Sequence, residues 1–178
     1  NGARVLDVFS YLGGWGIQAA AAGAEQVTCI EVSASAARGI ERNAREAGVA
    51  ERVSVLNGDA FDALKQLREE RTRFDVVILD PPAFIKRKKD VKAGLEAYRR
   101  LNRMAMQLLG KDGILISASC SYHLQRDVFT SLLGREARHL DRTLQILEQG
   151  HQGPDHPVDP AIAETDYLKC YIGRVVLA

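Results

Sequence analysis

Three short segments carry residue types that could do chemistry on a flat, polar substrate. Asp80-Pro81-Pro82-Ala83-Phe84 sets an acid ahead of two prolines and an aromatic ring after them. The prolines forbid helix and remove two amide donors, so they hold an extended exit in which Asp80 and Phe84 have fixed positions. An acid and a ring held this way suit polar contact plus stacking on a planar heterocycle. Ser117-Ala118-Ser119-Cys120-Ser121-Tyr122-His123 places a cysteine among three serines. Such a cysteine is either a small core residue or a thiolate nucleophile facing a cleft. Its place past a strand, with Asp80 expected on the neighbouring strand, favours the nucleophile. Cys29 and Cys170 lack such neighbours and read as packing residues. The third segment, Phe9-Ser10-Tyr11-Leu12-Gly13-Gly14, is a glycine-rich turn where backbone can approach a ligand closely and offer its amides. Its spacing is not GxGxxG, and glycine serves tight turns equally well.

Positioning these segments requires strands that end beside one another. Apolar runs of strand length alternate with helical stretches, which predicts a parallel sheet covered by helices on both faces. The expected strands are 4–9, 26–32, 53–57, 74–79 and 113–119, and the expected helices are 15–22, 34–47, 60–71, 91–109 and 125–137. Two further strands, 144–149 and 168–177, are joined by a Gly/Pro-rich loop without a helix, which predicts an antiparallel pair at the sheet edge. In helix 34–47 the residues Ala36, Ala37, Ile40, Ala44 and Ala47 form one face, and Gly48 ends it. In helix 91–109 the face is Tyr98, Leu101, Met104, Ala105 and Leu108.

Ligands of an open α/β sheet bind beyond the carboxyl ends of its strands. Two more strand ends therefore matter. Glu31 ends the second strand, where an acid can accept both hydroxyls of a ribose or be a solvated or helix-capping side chain. Asp59, in Asn57-Gly58-Asp59-Ala60, can face an adenine amine or cap the next helix. Gly13 with Gly14, Glu31 and Asp59 on three adjacent strand ends are the contacts a nucleoside-bearing cofactor needs.

The charge sum is +1 over 178 residues, which excludes a uniformly basic surface. Residues 86–103 are the exception: Lys86, Arg87, Lys88, Lys89, Lys92, Arg99, Arg100 and Arg103 against Asp90 and Glu96 give a local +6. That segment is read as attracting nucleic-acid phosphates to the cleft, against the alternative of a solvated helix start. With 46% hydrophobic and 26% charged residues the composition argues against disorder, and three scattered cysteines suggest neither a disulfide framework nor a zinc site. No metal is expected, and His123 and His139 read as surface or capping residues, while His151 and His156 flank a Gly-Pro turn. A cytoplasmic setting, no membrane segment, and one domain cut from a longer protein are expected; the oligomeric state stays open, a homodimer included.

The chain resembles the class I S-adenosylmethionine-dependent methyltransferases, and more closely the RlmI-type family that methylates cytosine C5 in large-subunit (23S) ribosomal RNA. The words that carry the resemblance are VLDVFSYLGGWG, EVSASAARGIERNA, NGDAF, FDVVILDPPAF, LNRMAMQLL, SASCSYH, DHPV and DYLK, which span nearly the whole chain. The resemblance implies a Rossmann-like, doubly wound, mostly parallel seven-stranded sheet with an antiparallel C-terminal pair. It implies S-adenosylmethionine across Phe9, Ser10, Tyr11, Gly13 and Gly14, with Glu31, Val32 and Ser33 at its ribose. Asn57, Gly58, Asp59 and Ala60 lie toward its adenine, and Asp80 borders it. Cys120 is then the nucleophile and Asp80 holds the cytosine. Pro81, Pro82, Phe84 and the run Lys86, Arg87, Lys88 and Lys89 meet the RNA. Many RNA cytosine-C5 enzymes carry a second cysteine just after the first proline, where this chain has Pro82 and Ala83, so the acceptor of the C5 proton is unassigned. DPPAF also resembles the motif of exocyclic-amine methyltransferases acting on guanine N2 or adenine N6, which need no cysteine. A nucleotide-binding Rossmann module is the alternative outside methyl transfer. RlmI-type proteins carry an N-terminal RNA-binding domain with no counterpart in these residues.

Overall fold

The computed structural model describes residues 2–178. In chain order the main elements are β1 (Arg4–Val8), α1 (Gly14–Ala21), β2 (Gln26–Glu31), α2 (Ala34–Glu46), β3 (Val53–Asn57), α3 (Ala60–Glu69) and β4 (Phe74–Leu79). They continue with α4 (Val91–Leu108), β5 (Leu109–Ser119), α5 (Arg126–Arg138), β6 (Arg142–Gly150) and β7 (Lys169–Leu177). The strands form one seven-stranded sheet in the order β3-β2-β1-β4-β5-β7-β6. β1 pairs in parallel with β2 and β4, and β5 with β4, whereas β7 runs antiparallel between β5 and β6.

Strand order reverses between β1 and β4, because the chain steps outward through β2 and β3 before returning to β1's other side. The crevice beyond the carboxyl ends of β1 and β4 is therefore the place for a ligand. Alternate residues of the central strands feed two cores, as the two-residue period of a strand demands. Leu6, Val8, Val77 and Leu79 pack with Leu64, Leu101 and Phe129 on one face. Val5, Val27, Cys29 and Ile78 pack with Ala20 and Ile40 on the other.

The expected elements form, with local corrections. β5 begins at Leu109, directly on the end of α4, and its first residues pair across an irregularity opposite Phe74–Val76. In α2, Ala47 is the exposed C-terminal cap and does not join the buried face. Gly39 takes that place, because Leu12 packs so closely that an added Cβ would lie 2.6 Å from its Cδ2. Met104 is half buried, and Asn102 and Met106 are buried on α4 instead. Among the described residues no helix is long and apolar enough to cross a membrane.

Candidate active site

The cleft is built from four loops at the carboxyl ends of β1 to β4. Phe9, Tyr11, Ile30, Glu31, Val32, Gly58, Asp59, Ala60, Asp80 and Pro82 line a cavity of about 320 Å³. A second lobe of about 420 Å³ shares Phe9, Tyr11 and Asp80 and is closed by Ser10, Leu12, Gly14 and Trp15. The loop between β1 and α1 is wound tightly: Phe9, Tyr11 and Gly13 have φ of 67°, 50° and 85°. Left-handed backbone at two aromatic residues is strained, and such strain gathers at binding sites. Gly13 accepts that conformation without penalty, and its N–H donates to the Ser10 carbonyl at 2.7 Å.

Glu31 is 9% exposed and held from both sides. Its carboxylate accepts the backbone N–H groups of Tyr11 and Ser33, each at 2.8 Å, so it faces the cleft with fixed oxygens instead of capping a helix. Asp59 does cap: one oxygen accepts the N–H groups of Phe61 and Asp62 at 2.8 and 3.2 Å, while the residue still lines the cleft. Gly13, Ser33 and Asn57 do not line the 320 Å³ cavity. Gly13 packs against Ile17 and Ile40, Ser33 caps α2, and the Asn57 amide donates to the Glu31 and Val32 carbonyls at 2.7 and 3.1 Å. These three shape the site from behind.

Cys120 stands where β5 ends. Its flanking serines turn inward: Ser119 donates to the Tyr98 hydroxyl at 2.9 Å, and Ser121 shares a 2.9 Å bond with the same hydroxyl and accepts the Ile85 N–H at 3.1 Å. This buried network ties the Cys120 loop to the exit of β4 and leaves Cys120 itself only half buried. Its Sγ donates to the Pro81 carbonyl at 3.8 Å, so the thiol lies against the residue that follows Asp80. Burial pushes the Cys120 thiol above its ordinary range and nearby Asp80 adds to the rise, while Lys169 opposes it. Cys29 and Cys170 are buried, and burial pushes them up to about 12 and about 11, which makes them inert.

Pro81 is buried and Pro82 exposed at the rim. The Phe84 ring lies 4.8 Å from Tyr98 and 6.3 Å from Phe9, in contact with the core. Helix α4 comes this close because Gly94 lacks a Cβ, which would sit 2.9 Å from the Phe84 carbonyl. Lys86, Arg87, Lys88 and Lys89 are exposed, with Arg87 paired to Asp90 at 3.1 Å. The local +6 overstates the free charge: Arg99 and Arg103 both bind the fully buried Glu136 on α5, at 2.9 and 2.5 Å.

Two site residues escaped the sequence reading. Asp7 is fully buried in β1, its Oδ2 accepts the Gly16 N–H at 3.0 Å, and its Oδ1 has no partner among the described residues. Burial pushes its carboxyl up to about 6. The available signal was an acid inside the apolar run VLDVF. Trp15, 42% exposed, donates its indole N–H to Asp80 Oδ2 at 3.1 Å and so orients the acid of the DPPAF exit. Among the described residues no cluster of three His, Cys, Asp or Glu side chains could hold a metal.

The sheet order with its one reversed strand, and the cleft at the β1/β4 reversal, define the class I methyltransferase fold. The chain belongs to the family described as Conserved hypothetical protein 95, whose match covers residues 1–117. It is 37% identical over 176 residues to Ribosomal RNA large subunit methyltransferase I of Shewanella denitrificans, covering 98% of this chain and 44% of that protein. The protein of the same name in Photobacterium profundum is 38% identical over 176 residues, covering 97% and 44%. The chain thus spans about 44% of the length of these curated relatives. Among solved structures, SMU.776, described as a methyltransferase and solved with SAH, superposes with a TM-score of 0.84 at 22% identity, covering 97% of this chain and 45% of that one. Trm5b from Pyrococcus abyssi superposes with a TM-score of 0.73 at 17% identity, covering 99% and 45%.

Proposed function

We propose that the chain is the catalytic domain of an S-adenosylmethionine-dependent methyltransferase acting on C5 of a cytosine in large-subunit ribosomal RNA. The observation that carries the reading is the half-buried Cys120 thiol against the carbonyl of Pro81, the residue between Asp80 and Pro82, which both line a nucleoside-sized cleft. The names of the curated relatives support the RNA class.

The cleft fits the cofactor on its own chemistry. Fixed Glu31 oxygens suit the two hydroxyls of a ribose, and Phe9, Ile30, Val32 and Ala60 supply apolar walls for a base. Asp59 borders the same cavity, and Asp7 puts an unpaired carboxylate oxygen behind the glycine turn. When bound, the cofactor supplies an electrophilic methyl group.

The chain's task is to make cytosine C5 nucleophilic. The Cys120 thiolate attacks C6, forming an S–C6 bond, and the electrons of the C5=C6 double bond become available at C5. A proton shared between the carboxyl of Asp80, held by the Trp15 indole, and N3 offsets the negative charge that develops on the ring. After C5 is methylated, a base removes the C5 proton, the C5=C6 bond re-forms, and the thiolate leaves. The target must be unpaired or flipped for Sγ to reach C6. Exposed Lys86, Lys88 and Lys89 sit next to the DPPAF exit, where they can meet RNA phosphates.

Ribosomal RNA nucleosides from cells deleted for the gene encoding this chain, analysed by mass spectrometry, test the reading. Loss of one 5-methylcytosine is expected. Loss of an N-methylated purine with all 5-methylcytosine intact would overturn it.

A further inference from the structure

Lys169 is a buried cation that the reaction above does not use. It opens β7, is 3% exposed, and faces Ser119 across the β5–β7 ladder. Its Nζ donates to the carbonyls of Ser121 at 2.8 Å and Tyr167 at 2.7 Å. An ammonium has three N–H donors, and both of these acceptors are neutral. Among the described residues no carboxylate pairs with it: Asp166, on the preceding loop, is bonded by Arg126 at 2.8 Å. Burying a cation without a counter-ion is costly, and chains retain one only where something offsets that cost.

The surroundings identify the missing negative charge. Lys169 borders a cavity of about 550 Å³ whose charged and titratable lining is Arg126 and Asp127 from α5, Asp159 and Asp166 from the loop before β7, and Tyr122; Cys120 acts on it from the exit of β5, with Asp80 acting on Cys120 from the exit of β4. Burial and then Arg126 bring the Lys169 ammonium down to about 8. The residue whose carbonyl it grips, Ser121, directly follows Cys120. We propose that Lys169 is the positioning residue of the Cys120 nucleophile: it pins the peptide after the cysteine and supplies the counter-charge of the thiolate. This rests on reading Cys120 as the nucleophile. Ionisation releases the Sγ proton to solvent and leaves a thiolate beside an ammonium, a neutral pair that is far less costly to bury than either charge alone.

The test is the pH profile of Cys120 alkylation by iodoacetamide, with Cys120 distinguished from Cys29 and Cys170 by peptide mass spectrometry. Wild type is compared with Lys169→Gln, which keeps a donor without the charge, and with Lys169→Arg, which keeps the charge. The Gln variant should alkylate at least tenfold more slowly at pH 8, with its midpoint moved up by a unit or more, and Arg should restore most of the rate. An unchanged Gln profile, or equal slowing in both variants, would overturn the proposal. Should neither variant fold, the ¹⁵N titration of Lys169 in wild type and Cys120→Ser decides. Its midpoint should fall in Cys120→Ser, and identical titrations would overturn the coupling. Neither measurement uses RNA or a methyl donor, so failure here is distinguishable from failure of the cytosine reading.

Discussion

Replacing Asp7 by Asn should stabilise the ligand-free chain at neutral and alkaline pH. Asp7 is fully buried, with one oxygen bonded to the Gly16 N–H and the other unpaired, and its carboxyl is raised from 3.8 to about 6 by burial. The fold therefore favours the protonated acid. The cost of the carboxylate is present in full above pH 6 and is lifted as pH falls through 6 toward 3.8. A shift of about two units, at ~1.4 kcal/mol per unit, corresponds to about 3 kcal/mol between the ionised and protonated limits, of which roughly half is recovered between pH 8 and pH 5. Asn keeps the shape and an acceptor for Gly16, where space is tight: a Cβ on that glycine would lie 2.7 Å from Cys29 Sγ. Urea unfolding at both pH values is the assay. Asp7→Asn should be ~1–3 kcal/mol more stable than wild type at pH 8, with the gap narrowing toward pH 5. A variant less stable at both, or a gap independent of pH, would refute the claim that the buried carboxylate is costly. The same substitution should weaken S-adenosylhomocysteine binding, because the unpaired oxygen backs the turn that would hold it.

Two further outcomes follow from the cleft and the basic rim. Glu31→Ala removes a carboxylate already fixed by two backbone N–H groups, and calorimetry should find S-adenosylhomocysteine binding weakened by about 1–3 kcal/mol, an unchanged affinity removing Glu31 from the ribose site. Changing Lys86, Lys88 and Lys89 together to Gln should flatten the salt dependence of RNA-fragment binding, by roughly one slope unit for each phosphate that is no longer neutralised. An unaltered slope would make that run a solvated surface.

The central strands were legible because burial on both faces writes them as short continuous apolar runs, as in RVLDV and FDVVIL. The late antiparallel pair was legible from the missing helix between its strands. What escaped the sequence was set by packing between distant segments. Ala47 fits the helical stripe of α2 yet caps its end, while Gly39 is buried because Leu12 reaches across from another loop. Arg99 and Arg103 count as free charge until α5 brings Glu136 beneath them. Glu31, Asp59, Asp80 and Cys120 could be named from strand ends, because position there is a topological property, whereas Asp7 is buried inside β1. The roles of Trp15 and Lys169 could not, since each depends on one hydrogen bond to a residue at least 48 positions away.

Covalent trapping tests the central claim most directly. In an RNA fragment carrying 5-fluorocytosine at the target position, fluorine blocks the final proton removal, so the thioether cannot break down after methyl transfer. With S-adenosylmethionine present, a denaturation-resistant RNA adduct is expected, and peptide mass spectrometry should map it to Cys120. Methylation of the unmodified fragment with no adduct on the fluorinated one, and with activity intact in Cys120→Ala, would contradict it.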